Sequence, residues 1–320
     1  MHRSRMLVGL LIVVSLVVSP CLHADVIAGI AGEISQSSYS QYLDDVLYTH
    51  LGDNRGFGAE HDLARDSILT QFASFGLDAS LHDFTYSGST YSNVIGVMQG
   101  RTRPDDIYIV SAHYDSVNNP GADDNASGVA GVLEIARVLS GHSFEATIVF
   151  AAFDREEQGT VGSEAWVQDH LSLNILGDLN LDMIGYNPSG SNHDWARIYS
   201  TTASDPLRTE WAGALNTYGG LSVALPPDLP ASDHVPFETA GFMAGTLIEY
   251  YFGSNPNYHQ LTDSVDTVGY IDYEYATNMV RGTAAMLADQ AVDVPEPATL
   301  VLLGLGIPAL AIIRKRRRAA

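Results

Sequence analysis

Five residues of this 320-residue chain combine a metal-ligating side chain with a setting that could use it. His113 stands in Ser-Ala-His113-Tyr-Asp115-Ser, Asp124 in Gly-Ala-Asp123-Asp124-Asn-Ala-Ser-Gly, and Glu157 in Asp-Arg-Glu156-Glu157-Gln-Gly. Asp182 in Leu-Asn-Leu-Asp182-Met-Ile-Gly and His259 in Asn-Tyr258-His259-Gln-Leu-Thr complete the set. The mix is imidazole and carboxylate without thiolate, which suits a hydrolytic zinc pair rather than a Cys-rich structural site.

Taken singly, each has an ordinary alternative. A lone His at a strand end is more often a hydrogen-bonded surface or core residue. Asp123-Asp124-Asn125 ahead of a helix could be an acidic N-cap that compensates the helix dipole. Glu156-Glu157 could be a solvated pair in a loop. Calcium is a further candidate for the paired acids, but the twelve-residue spacing of an EF-hand is absent. The joint order of five motifs outweighs these alternatives.

The elements that must position them read as alternating strands and helices. Asp106 to Ala112 is a β-rich run ending at His113, and Ala146 to Phe153 is an apolar strand leading into Asp154 and the two glutamates. Leu176 to Met183 contains a short strand ending near Asp182, and Phe242 to Tyr250 a late one. Between the first two, Ala126 to Leu139 reads as an amphipathic helix with Val129, Val132, Leu133, Ala136 and Leu139 on one face and Gly141 beyond its end. Near-continuous apolar strands separated by helices predict an α/β fold, a three-layer αβα sandwich around a mixed, mostly parallel sheet. Ligands in such sheets gather at the carboxyl ends of strands. His113, Glu156, Glu157 and Asp182 fall at such ends.

The two termini look like addresses. Met1 to Ala24 has Arg3 and Arg5, an apolar run from Met6 to Val18, and a small residue at Ala24, the build of a secretory signal peptide. Cys21 offers a lipoprotein alternative that Pro20 fits poorly. Cleavage after Ala24 leaves a mature chain without cysteine, and so without a disulfide or thiol nucleophile. At the other end, Pro295-Glu296-Pro297 precedes an apolar run from Ala298 to Ile313 and then Arg314-Lys315-Arg316-Arg317-Arg318. As helix, that run spans roughly 24 Å at about 1.5 Å per residue, short for a full crossing. A plain tail anchor is the simpler alternative. The three-part pattern resembles the PEP-CTERM sorting signal of Gram-negative bacteria, which implies transient inner-membrane association, processing by an exosortase-type enzyme, and release to the envelope or exterior.

The expected organisation is therefore a signal peptide over 1–24, one large domain over 25–293, and the sorting segment over 294–320. Seven of the sixteen Lys and Arg lie in the two ends, leaving nine in the body, all Arg, against 37 acidic residues, since Glu296 is the only acid outside it. A surface this acidic argues against nucleic acid and anionic membrane as partners. Solubility in an exposed compartment accounts for it.

Across the body the chain resembles the co-catalytic two-zinc aminopeptidases of peptidase clan MH. The phrases that carry this are His113-x-Asp115-Ser, Gly-Ala-Asp123-Asp124-x-x-Ser-Gly, Glu156-Glu157-x-Gly and the late Ser232-Asp233-His234. Gly52-Asp53-Asn54-Arg55, the helix-like stretch after Glu60 and Tyr91-Ser-Asn93-Val-Ile-Gly extend the likeness toward the amino terminus. The resemblance implies two zinc ions per chain, one on His113 and Asp182, the other on Glu157 and His259, with Asp124 bridging. It implies Glu156 as general base and Asp115 as the partner that orients His113. Four positive charges against three from Asp124, Glu157 and Asp182 leave a net charge that acidifies water, consistent with that assignment.

One position departs from some relatives. Where they carry a catalytic Tyr shortly before the Ser-Asp-His phrase, this chain has Asp228-Leu229-Pro230-Ala231. Another branch has its Tyr immediately before the last His ligand, and Tyr258 matches that branch. The implied activity is a secreted exopeptidase, an aminopeptidase acting on peptides with a free amino terminus. A carboxypeptidase or other amidohydrolase on the same scaffold, a glutaminyl cyclase, and a non-catalytic envelope protein are the competing readings.

Overall fold

A computed structural model describes residues 23–291; all of the expected sorting segment and nearly all of the expected signal peptide lie outside them. Among the described residues no helix is long and apolar enough to cross a membrane. Of the described residues, Ile30 to Ala291 fall in one compact unit.

Its frame is a single sheet of eight strands: β1 (Asp78–Tyr86), β2 (Ser89–Met98), β3 (Arg103–His113), β4 (Ala146–Phe153), β5 (Asn174–Leu181), β6 (Trp195–Tyr199), β7 (Ser222–Ala224) and β8 (Ala244–Glu249). They lie side by side in the order β1-β2-β4-β3-β5-β8-β6-β7. The four central strands, β4, β3, β5 and β8, are mutually parallel, while β2 joins β4 and β6 joins β8 antiparallel. The sheet is mixed and mostly parallel at its centre, as expected. The β1–β2 hairpin turns through Ser87 and Gly88, both with positive φ (49° and 81°), the twist a two-residue hairpin turn requires.

Burial explains why the central strands read as unbroken apolar runs. All eight residues of β4 and all six of β8 are buried, because helices cover both sheet faces. The helices are α1 (residues 23–32), α2 (Gln36–Gln41), α3 (Ala59–Ser74), α4 (Gly128–Leu139), α5 (Val161–Asp169), α6 (Asp205–Gly219), α7 (His234–Thr239) and α8 (Tyr273–Ala291). On one face Phe72 of α3 meets Phe150 of β4. On the other, Trp166 of α5 and Phe237 of α7 pack with Phe153, Ile109 and Val149. The alternation of Val149 and Phe150 to opposite faces is the period-two geometry of a strand.

The backbone turns non-helical only at Asp124 and Asn125, so helical geometry begins near Ala126, as expected, and runs on as the regular α-helix α4 from Gly128. The expected apolar face is buried in full, and burial extends beyond it to every residue but Arg137, since α2, α3 and α8 also pack against this helix.

Candidate metal centre

The ends of the central strands share one edge of the sheet, and the residues singled out from the sequence meet there. His113 is the last residue of β3, Glu156 and Glu157 sit in the turn that follows β4, and Asp182 follows β5 directly. Asp124 and His259 come from loops that fold over this edge.

The two carboxylate oxygens of Asp124 face two different groups. Its Oδ1 lies 3.3 Å from His113 Nε2, and that nitrogen is 3.6 Å from Asp182 Oδ1. Its Oδ2 lies 3.1 Å from His259 Nε2, which is 3.2 Å from Glu157 Oε2. Asp124 is thus shared between a His113–Asp182 pair and a His259–Glu157 pair. No Lys or Arg forms an ion pair with these three carboxylates among the described residues.

The local backbone fixes this arrangement. Gly121 has φ of +60°, and a Cβ there would stand 2.5 Å from the Asp124 carbonyl oxygen and 2.6 Å from Ser116 Cβ, so the turn into Asp124 needs glycine. Asn125, not Asp124, does the capping work: its Oδ1 accepts the Gly128 N–H at 3.0 Å and the Met183 N–H at 3.1 Å. That leaves Asp124 free to face the cleft, and sets aside the reading of Asp124 as a helix cap.

Asp115 lies beside both His113 and the glutamate turn. Its carboxylate is 3.5 Å from His113 Nδ1, whose nearer partner is the Asp115 carbonyl at 3.1 Å. The same carboxylate accepts the N–H groups of Glu156 and Glu157 at 3.1 and 3.3 Å. Glu157 is held further by the Val117 N–H, which donates to its Oε1. Tyr258 is half-exposed and stacks on the His259 ring with centroids 3.8 Å apart.

Three residues that sequence reasoning left without a role support the site. Asp263 accepts the backbone N–H groups of Asp123 and Asp124 at 2.7 and 3.1 Å. Arg55 is fully buried and donates to the carbonyls of Pro120 and Gly121, bracing the loop ahead of Asp124. Asp233 is buried and accepts a 2.5 Å hydrogen bond from Ser163 Oγ. Asp263 lies four residues after His259 in the same loop, where spacing carries no periodic signal. Asp233 is marked by the Ser232-Asp233-His234 phrase, but its partner comes from α5.

The electrostatics are those of a buried anionic cluster in need of cations. Burial raises Asp124, but hydrogen bonds from His113 and His259 outweigh it and hold the carboxyl below its ordinary range. Hydrogen bonding to Asp124 and then Glu157 pulls His259 up to about 10. Burial, reinforced by Asp233, Asp182 and Asp115, pushes Glu156 well above the usual carboxylate range. Asp233 rises to about 7, chiefly through burial. Burial and the charges of Asp124, Asp182 and Glu157 keep the Tyr258 phenol protonated. The oxygen and nitrogen donors, three carboxylates among them, suit two hard-to-borderline divalent cations.

An α/β sandwich with convergent imidazoles and carboxylates at its strand ends has the build of a metallopeptidase. A family model for peptidase family M28 matches residues 93–286. The chain belongs to that family. A second model, for the PEP-CTERM protein-sorting motif, matches residues 293–318. Among curated proteins, the aminopeptidase YwaD of Bacillus subtilis is 34% identical over 225 residues, covering 65% of this chain and 47% of its own length. A probable zinc metalloprotease of Pyricularia oryzae is 35% identical over 159 residues, 43% of this chain and 32% of its own. The chain spans about half or less of the length of these relatives. Among solved structures, the LapA aminopeptidase of Legionella pneumophila superposes with a TM-score of 0.74 at 21% identity, over 85% of this chain and 76% of that one. That likeness supports the fold.

Proposed function

We propose that this chain is an exported two-zinc aminopeptidase. The observation that carries the reading is the sharing of Asp124 between two separate His–carboxylate pairs. His113 and Asp182 would hold one zinc, His259 and Glu157 the other, with Asp124 between them. Two zinc ions, when bound, supply Lewis acidity that polarises the scissile carbonyl, acidifies the attacking water and anchors a free α-amine.

The chain's own residues do the rest. Glu156 takes the proton of the attacking water and returns it to the leaving amine. Its carboxyl accepts no hydrogen bond from the protein among the described residues, and a raised pKa matches a base that must also act as an acid. Asp115 orients His113 and fixes the turn that presents Glu156. Tyr258 donates its hydroxyl to the developing oxyanion from the rim of the cleft. Peptides with a free amino terminus are the substrates. Residues 25–293 form the mature domain, 1–24 the export signal, and 294–320 a segment that an exosortase-type enzyme removes at the inner membrane of a Gram-negative host.

A matched panel of amino-acyl, amino-blocked and carboxyl-terminal reporter substrates tests the reading. Zinc-dependent release from free-amine substrates alone supports it. Release only from carboxyl-terminal substrates would make the chain a carboxypeptidase, and equal rates on blocked substrates an amidohydrolase. No turnover of any of them, with metal bound, would favour a non-catalytic envelope protein.

A further inference from the structure

The Ser232-Asp233-His234 phrase is left partly unexplained by the metal centre, and its histidine is the anomaly. His234 is fully buried at the start of α7, yet neither ring nitrogen has a hydrogen-bond partner. A buried imidazole without partners forfeits the hydrogen bonds it made to water, a cost that native structures rarely leave uncompensated. Two carboxylates face it. Glu238 lies one helical turn further along α7, so both side chains share a face. Asp228 comes from the loop that precedes α7, with its Oδ1 3.7 Å from His234 Nε2, beyond hydrogen-bond length. One ligand atom from each of the three residues lies within 4.8 Å of the others.

We infer that Asp228, His234 and Glu238 form a third cation site, separate from the Asp124-centred pair, that takes a divalent first-row metal of the zinc type. One imidazole and two carboxylates are the donor set such an ion prefers, and the spacing closes to coordination distance with a small movement of the exposed Asp228 side chain. Burial draws the His234 imidazole toward its neutral, metal-binding form against the pull of Glu238, Asp228 and Asp182. Glu238 is already oriented: its Oε1 accepts from Thr201 Oγ1 and Ser204 Oγ at 2.8 and 2.6 Å, and the Thr201 N–H is shared between its two oxygens at 2.9 and 3.1 Å, which leaves Oε2 one spare lone pair. Such outer hydrogen bonds fix a ligand in place before the ion arrives.

The site's consequence is for the loop between β7 and α7. Leu229 of that loop packs against Met183, Tyr199 and Ile248, next to Asp182. A cation tying Asp228 to α7 would pin this loop beside the metal centre at its second end. Its role is structural, because none of its three residues is among those assigned to the Asp124-centred pair, although the Asp182 charge reaches His234.

The test separates the two metal sites. In protein carrying Asp124→Ala and His259→Ala, stripped with chelator and dialysed against Zn²⁺ alone, metal analysis should find one equivalent per chain. Adding Asp228→Asn should remove it, and adding Asp228→Glu should retain at least part of it. Because Asp228 is exposed, these variants should fold, which circular dichroism checks. In the otherwise wild-type chain, Asp228→Asn should lower zinc content by one equivalent and abolish part of the zinc-induced rise in Tm. Zinc content and Tm that do not depend on residue 228 in either background would overturn the inference.

Discussion

Asp263 holds Asp124 from behind: its carboxylate accepts the N–H of Asp124 at 3.1 Å and that of Asp123 at 2.7 Å, inside the protein. The residue proposed to bridge two cations is therefore positioned through its backbone by another acid. Burial, with Asp123 and Asp124 nearby, pushes Asp263 well above the ordinary carboxylate range, so the tie is bought against charge repulsion that cations on the other side of Asp124 would relieve.

Replacing Asp263 by Ala should thus reach the metal centre without touching a ligand. Each buried N–H left without an acceptor costs about 1–3 kcal/mol. Thermal unfolding should shift down by several degrees and metal affinity should fall, while Asp263→Asn, which keeps an acceptor, should lose less of both. Calorimetry and metal titration of the two variants check this; equal behaviour of Ala and wild type would refute it.

Glu156→Gln preserves size and removes proton acceptance. Turnover should drop by at least ~10²-fold, the lower end for general acid–base catalysis, with metal content unchanged. Steady-state kinetics beside metal analysis read both. Near-normal turnover with metal bound would remove Glu156 from the role of base.

The metal-free protein should weaken as pH rises. The folded pKa of His259 is raised to about 10, so its contribution is complete below its unfolded value of 6.5 and is lost as pH climbs through 10. Asp233, an acid raised to about 7, acts in the same direction: its ionisation costs the folded state more and more between 3.8 and 7. Asp124, held low, adds stability that is lost only on acidification below its ordinary range. In chelator, Tm should fall between about pH 6 and pH 9.5, and added zinc should restore most at the alkaline end, because metal displaces those protons. A flat or rising metal-free profile over that range would contradict the charge balance described.

Gly121→Ala should destabilise the turn into Asp124. A Cβ at φ +60° meets the Asp124 carbonyl at 2.5 Å, so the backbone must move, at a cost of order 1–3 kcal/mol. The expected signs are a lower Tm and a weaker metal affinity together. An unchanged metal affinity would show that the turn does not govern where Asp124 points.

These effects also mark what was legible in the sequence. β4 could be placed to the residue, Ala146–Phe153, because a strand buried on both faces is one unbroken apolar run. Four of the five proposed ligands are legible because they sit at a strand end or a glycine-bounded turn; His259 lies in a loop and is legible only through the joint order of the motifs. Asp115 was read as the orienter of His113, whereas it also anchors the Glu156-Glu157 turn through two N–H groups. The sequence leaves open which of Asp123, Asp124 and Asn125, ahead of α4, caps the helix; the structure gives that role to Asn125 through a side-chain bond that composition does not reveal. Asp233 is marked by the Ser232-Asp233-His234 phrase, but its partner and those of Glu238 are not legible: Ser163, Thr201 and Ser204 are distant in sequence and adjacent only after folding.

Processing offers a test outside the active site. The sorting motif matches residues 293–318, and the proposal makes the apolar run a temporary address. Mature protein from the native host should lack Arg314 to Arg318 in its mass spectrum, and replacement of Pro295-Glu296-Pro297 should leave the chain at the inner membrane. Intact carboxyl-terminal peptides on exported wild-type protein would make the segment a permanent anchor.

The central claim is that Asp124 stands between two cations. Anomalous difference maps recorded at the zinc edge from crystals of zinc-loaded protein test it most directly. The account predicts one peak bounded by Asp124 Oδ1, His113 and Asp182, and a second bounded by Asp124 Oδ2, Glu157 and His259. A single peak at Asp124, or none, in crystals whose bulk analysis shows bound zinc would contradict it.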